Sequence, residues 1–130
     1  MSRFEAVNSV ILAEMAKPYS YGCSDCFFLA LAVIDRLQNT KLKKKYSGIY
    51  TTFSGAQKAM RKRKFKSIGD LFAKHLEQIA PAMARLGDVV VLEVDGKEHS
   101  AICTGGAFLT RVEGGTSIHS LADVKSAFKV

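Results

Sequence analysis

The strongest constraint on the fold is a change of hydrophobic pattern near residue 88. Before it, residues 3–16 and 67–78 carry apolar side chains at steps of three to four, as on one face of an α-helix. Residues 27–37 are apolar on nearly every side, which is typical of a central, buried helix. We therefore predict that helices form the first part of the chain.

The second part of the chain has the pattern of β-strands. Residues 88–94 and 98–104 flank Asp95-Gly96, a strong signal for a two-residue hairpin turn. A strand over 107–112 and a short helix followed by a closing strand over 120–130 complete the pattern. Helices before strands predict an α+β fold in which N-terminal helices pack on a small C-terminal antiparallel sheet.

Length and composition indicate one domain over residues 1–130. A chain of 130 residues with 48% hydrophobic residues can bury a core without disulfides, so its three cysteines are expected to be free thiols. The N-terminus lacks the features of a secretory signal, which predicts synthesis in the cytoplasm. The apolar run is too short to span a bilayer, so no membrane insertion is expected. A net charge of +7 predicts attraction to polyanions.

The basic residues are concentrated in residues 41–66, where aromatic side chains lie between them. One hypothesis is that Tyr46, Tyr50, Phe53 and Phe65 support nucleic-acid binding through this segment. The other is a solvated basic face whose aromatic side chains belong to the core. We favour the second, and nucleic acid is not an expected partner.

The cysteines and histidines could in principle form a metal or redox site. Cys23 and Cys26, with His99 and Cys103, are the residue types of a zinc site. On a strand, however, His99 and Cys103 would lie about 13 Å apart, too far to bind one ion. A thioredoxin-type dithiol would follow a strand, whereas here a helix and a Pro-Tyr turn come first. We predict no metal and no cofactor.

Cys26 is also a candidate nucleophile. We predict that its helix begins near Ser24, a suitable N-cap, which puts Cys26 in the first turn, where the helix dipole favours a thiolate. His99, just after the hairpin turn, could take the thiol proton. The alternative is that Cys26 is a small core residue and His99 lies at the surface. Spacing alone leaves both interpretations open.

The segments around Cys26 and His99 resemble a known family. "PYSYGCSDCFFLA" is similar to the "PYxWGxxDCxxF" signature of NlpC-type papain-like cysteine peptidases, and "LGDVVVLEVDGKEHSAICTGG" resembles their "GDLVFF…HVGIYxG" segment. Most of the chain is similar to small phage and prophage proteins of this superfamily, including residues 50–56, 85–92 and 127–130. The resemblance implies a papain-like, NlpC-type fold.

The resemblance also implies a site and a function. Cys26 matches the nucleophile, His99 the general base and Tyr19 the tyrosine on the oxyanion side, and Asp25 is the acidic neighbour of Cys26. Thr110 falls near the residue that orients the imidazole, where the family usually has His, Asn or Gln. If the site exists, we expect the Cys26 sulfur within about 4 Å of a His99 ring nitrogen and Thr110 beside the other nitrogen.

Two functions follow from this resemblance. The first is a phage- or prophage-encoded cysteine peptidase or amidase that acts on peptidoglycan peptides. The second is a catalytically weak or inactive phage tail or assembly protein that keeps the same fold and is associated with the virion and with tail proteins. The threonine at position 110 motivates the second.

Overall fold

A computed structural model describes residues 2–130 of the chain. Five α-helices come first: α1 Arg3–Met15, α2 Cys26–Gln38, α3 Leu42–Tyr46, α4 Phe53–Lys62 and α5 Ile68–His75. Six strands follow: β1 Glu77–Ile79, β2 Val89–Val94, β3 Lys97–Cys103, β4 Phe108–Val112, β5 Gly115–His119 and β6 Val124–Lys129. The strands form one antiparallel sheet in the order β1-β6-β2-β3-β4-β5. The predicted α+β class is confirmed.

The hairpin between β2 and β3 is the predicted one. Val94 is paired with Lys97, so Asp95 and Gly96 form a two-residue turn. Both turn residues have positive φ angles, 53° and 75°, as the turns that match the twist of two adjacent strands require. The closing strand was also predicted correctly, because the 3-10 helix Leu121–Asp123 leads into β6.

Two strands differ from the sequence prediction. The predicted helix over 67–78 ends at His75, and β1 then pairs with β6, where Glu77 lies opposite Lys129. The edge strand β5 was not predicted and pairs with β4 through a turn at 113–114. In both cases the strand is stabilised by a ladder with a neighbouring strand, a contact that the local hydrophobic period does not encode.

Helix α2 lies in the centre of the molecule, and Asp25 caps its first turn. The Asp25 carboxylate accepts a hydrogen bond from the backbone N–H of Phe28 at 3.0 Å. The predicted cap, Ser24, instead donates from its hydroxyl to the Pro18 carbonyl at 2.5 Å. Asp25 is the better cap because its carboxylate suits the positive end of the helix dipole. Eight consecutive residues, 27–34, are then buried.

The sheet has two buried faces, and α2 packs on one of them. Val89, Val91 and Phe128 join Phe27, Phe28 and Leu31 in the largest core cluster. The opposite face carries a second cluster of Val90, Leu92, Ala101, Cys103, Phe108 and Ala127. Ile102 packs against Leu29 and Val33 of α2. Because side chains alternate along a strand, Ser100 and Ile102 face α2, whereas His99, Ala101 and Cys103 belong to the opposite face.

Strands β3 and β4 are paired over only a short length. Their ladder consists of Ile102 opposite Leu109 and Cys103 opposite Phe108. Beyond these pairs, the Thr110 hydroxyl donates a hydrogen bond to the Ser100 carbonyl at 2.7 Å. A side chain thus replaces the backbone ladder at the point where the two strands separate.

Candidate functional site

The loop before α2 is held in place by Asp25. Besides capping the helix, its carboxylate accepts hydrogen bonds from the Gly22 N–H at 3.0 Å and the Tyr50 hydroxyl at 2.5 Å. Gly22 has a φ of +85°, and a Cβ placed there would lie 1.8 Å from the Tyr50 carbonyl oxygen. Glycine is therefore required at position 22, both by its conformation and by the close approach of the chain.

Cys26 is the first residue of α2 and is partly exposed. Burial, followed by the negative charge of Asp25, raises the pKa of its thiol to about 11. The backbone of Ser100, the Thr110 side chain and the backbone of Phe27 act in the opposite direction and favour the thiolate. Burial and Asp25 outweigh these groups, so the surroundings of Cys26 favour the neutral thiol. It lies against the region where β3 and β4 separate.

Tyr19 lies near Cys26, as the sequence predicts. Burial raises its pKa above the usual range, and the neighbouring Cys26 contributes in the same direction. Its ring packs edge-on against Tyr21, and the Arg111 guanidinium lies 5.6 Å from the ring centroid. The structure therefore brings Tyr19, Cys26 and Thr110, three of the four predicted site residues, around the N-terminus of α2.

His99 is the fourth predicted site residue, and the structure does not bring it onto Cys26. It lies opposite Leu92 on the face of β3 that α2 does not cover. Burial, His119 and Lys97 lower the pKa of its imidazole. Among residues 2–130, no hydrogen bond joins it to Cys26, and the Thr110 hydroxyl that was expected at its ring bonds to Ser100 instead. The described residues thus contain no hydrogen bond from Cys26 or Thr110 to the His99 ring.

A different imidazole, that of His119, is held by a side chain at each of its ring nitrogens. His119 Nε2 lies 2.7 Å from the Ser117 hydroxyl, and His119 Nδ1 lies 2.8 Å from the Asp123 carboxylate. His119 lies at the end of β5, a strand that was not predicted from the sequence. Because side chains alternate along a strand, Ser117 and His119 lie on the same face of β5. The two-residue spacing between them is the sequence feature that could have indicated this pair.

The structure also bears on the remaining predictions. Within residues 2–130, no group of three or more His, Cys, Asp or Glu side chains is arranged to hold a metal ion. Nor does this part of the chain contain a helix long and apolar enough to cross a membrane. In the basic segment, Tyr46 and Tyr50 are buried in the main core cluster. The Tyr46 ring is therefore not available for stacking on bases.

A cleft opens on the side of α4 that faces the β2–β3 hairpin. It has a volume of about 440 Å³ and is lined by residues of α4, the following segment, the hairpin and β6. Phe27 of α2 and Tyr50, whose hydroxyl donates to Asp25, form part of its lining, so the cleft adjoins the helix that carries Cys26. Cys26 itself lies outside it.

Comparison with known proteins assigns the chain to a family. A search of the curated proteins found no match. A family model described as a domain of unknown function, DUF6950, matches residues 2–130. The chain belongs to this family.

Proposed function

We propose that this chain is a papain-like domain of the NlpC type that serves as a phage or prophage tail or assembly protein without thiol-dependent catalysis. The resemblance around Cys26 and His99 supports the family and the phage context. The α+β order, with Cys26 at the start of a central helix packed on an antiparallel sheet, is consistent with it. Tail proteins are the proposed partners, and the virion is the proposed location.

The surroundings of Cys26 are the observation that supports a non-catalytic role. A nucleophilic cysteine needs a thiolate, or a base that takes its proton. Here burial and Asp25 raise the thiol pKa to about 11, and His99 belongs to the opposite face of β3. Cys26 then acts as a small side chain that fills the space where β3 and β4 separate.

Alkylation of the individual thiols tests this proposal. Iodoacetamide labelling at pH 6 to 9, resolved by mass spectrometry, should modify the exposed Cys23 first and leave Cys26 and Cys103 largely unmodified. The rate at Cys26 should still be rising at pH 9 because its pKa is about 11. A Cys26 rate that reaches a plateau below pH 7 would contradict the proposal.

A cysteine peptidase or amidase acting on peptidoglycan peptides is the second candidate. It is favoured by the grouping of Cys26, Tyr19 and Thr110 at one helix N-terminus. Cys26 sulfur would attack the peptide carbonyl, the amine would leave with the thiol proton, and water would hydrolyse the resulting thioester. Substrate binding would have to promote loss of the proton from Cys26.

Turnover of muropeptides separates the two candidates. The first predicts no cleavage between pH 5 and 9 by the unmodified protein, whereas a related active enzyme cleaves under the same conditions. Cleavage that is lost in Cys26→Ser and kept in Cys23→Ser would establish the second. His99→Gln and His119→Gln would then show which imidazole supports the reaction.

A further inference from the structure

The cleft beside α4 has an apolar floor and a size suited to a ligand. Its volume of about 440 Å³ lies within the range of small-ligand pockets, roughly 300 to 1,000 Å³. Phe27, Tyr50 and Met60, all buried core residues, reach its floor. Phe53, 38% exposed, lies at its wall. An apolar side chain of a partner would bury its surface against these residues.

The rim of the cleft is predominantly basic. Arg61, Lys66, Lys97 and Lys125 line it, together with two acidic residues, Glu93 and Glu98. Lys125 is already paired with Glu98 at 3.0 Å. The lining then has three further cations, Arg61, Lys66 and Lys97, and one further carboxylate, Glu93.

The surroundings of the cleft extend this positive charge. Residues 41–66 contain ten Lys and Arg and no Asp or Glu, and α4 lies within this segment. Lys97, on the opposite wall, has its Nζ 5.6 Å from the centroid of the Phe53 ring. The cleft therefore combines an apolar floor with a positive rim, which is complementary to an apolar group flanked by carboxylates.

We propose that this cleft binds an acidic segment of a partner protein. One aromatic or branched aliphatic side chain of the segment enters the floor between Phe27 and Met60, and flanking Asp or Glu side chains pair with Arg61 and Lys66. Such an anchor surrounded by charged contacts is the usual arrangement of a peptide-binding site. The proposal is independent of whether Cys26 reacts with a substrate.

Other occupants fit the cleft less well. A second copy of the chain would bring another net charge of +7 against the same basic surface. Nucleic acid would place phosphates near Glu93 and Glu98, and Tyr46, which could have stacked on bases, is buried in the core. An acidic peptide avoids both problems because its carboxylates can be spaced to meet the cations.

Selection from a random peptide display library against the whole chain tests the proposal. The enriched peptides should carry Asp or Glu on both sides of an aromatic or branched aliphatic residue. Their affinities are then measured by fluorescence anisotropy at physiological salt, where non-specific attraction between exposed charges is largely screened. Replacing the central apolar residue of the peptide by Ala should weaken binding about tenfold or more.

Two variants with the same change of charge provide the control. Arg61→Glu alters the cleft, whereas Arg63→Glu alters an exposed residue outside its lining. We expect Arg61→Glu to weaken binding about tenfold and Arg63→Glu by less than about threefold. Thermal unfolding should show that both variants are folded, and Ala56→Trp, which fills the cleft, should also weaken binding.

Several results would overturn the proposal. These are enriched peptides without acidic residues, equal losses for Arg61→Glu and Arg63→Glu, or binding that does not depend on the apolar anchor. The selection could also enrich no peptide, while single-stranded DNA or anionic vesicles bind and Arg61→Glu weakens that binding. This result would assign the cleft to a different class of partner. Muropeptide turnover is measured separately, so failure here is distinguishable from failure of the proposed function.

Discussion

Asp25 shows how one side chain can organise a site and restrain its chemistry. The carboxylate joins the start of α2, the loop at Gly22 and the hydroxyl of Tyr50. The same negative charge opposes ionisation of Cys26 and raises the pKa of its thiol. The residue that stabilises the helix N-terminus thus also adds to the effect of burial in opposing ionisation of the neighbouring thiol.

Asp25→Asn should lower the pKa of the Cys26 thiol, because it removes a negative charge that disfavours the thiolate. The measurement is the pH dependence of Cys26 alkylation, which should move to lower pH. Asp35→Asn, in the second half of α2, should leave the Cys26 profile unchanged. A Cys26 profile identical in Asp25→Asn and the unmodified protein would show that burial alone controls the thiol.

Gly22→Ala should destabilise the fold by about 2–4 kcal/mol, because it combines a positive φ with a clash against the Tyr50 carbonyl. Gly48→Ala is the matched control. Gly48 also has a positive φ, but a Cβ there would meet nothing within 4 Å, so we expect a loss of about 1 kcal/mol. Urea unfolding measures both values, and equal losses would mean that the close approach at Gly22 is relieved by movement of the loop.

At the scale of secondary-structure elements, Arg111 links strand β4 to the end of helix α1. Its guanidinium donates to the Glu14 carbonyl at 2.7 Å and to the Lys17 carbonyl. Arg111 and Thr110 are neighbours on β4, and their side chains lie on opposite faces of the strand, as the alternation along a strand predicts. The contact stabilises the helix C-terminus, where unpaired carbonyls favour a cation.

Arg111→Met should lower the free energy of unfolding by about 2–4 kcal/mol, because two charge-assisted hydrogen bonds to carbonyls at the end of α1 are lost. Arg61→Met, at an exposed position, should change it by less than about 0.5 kcal/mol. Chemical denaturation gives both values. A loss below 1 kcal/mol for Arg111→Met would show that water replaces the guanidinium at little cost.

At the scale of the whole molecule, two histidines couple stability to pH. Burial is the main reason why the pKa values of His75 and His99 are both lowered. Neighbouring side chains act in the same direction: Lys45 and Lys74 at His75, and His119 and Lys97 at His99. The Tyr46 hydroxyl, 2.8 Å from His75 Nε2, further links that imidazole to the core.

Stability should therefore fall as the pH is lowered from 7.5 to 5. When the folded-state pKa lies below the unfolded value near 6.5, the unfolded chain binds more protons in this window, and protons favour unfolding. The stability that the two neutral histidines contribute is fully present above the unfolded-state pKa and is lost as the pH falls through the folded-state pKa. Unfolding at several pH values measures it, and the slope should become smaller in a His75→Gln/His99→Gln double variant. An unchanged slope would assign the pH dependence to carboxylates.

The order of elements and the local turns follow from the pattern of residues along the chain. The helical period, the apolar run of α2 and the Asp95-Gly96 turn depend on interactions between near neighbours, which is why the sequence predicts them. The alternation along β3 was likewise predictable, including the separation of His99 from Ser100. Strands β1 and β5 were not, because each depends on a ladder with another strand.

Which face of the sheet packs against α2 depends on the tertiary structure. Strand β2 is apolar on both sides, with Val89 and Val91 in one core cluster and Val90 and Leu92 in the other. A strand with two apolar faces carries no local signal for the one that meets the helix. The packing of the whole chain places Ser100, and not His99, on the side of α2, and so sets the surroundings of Cys26.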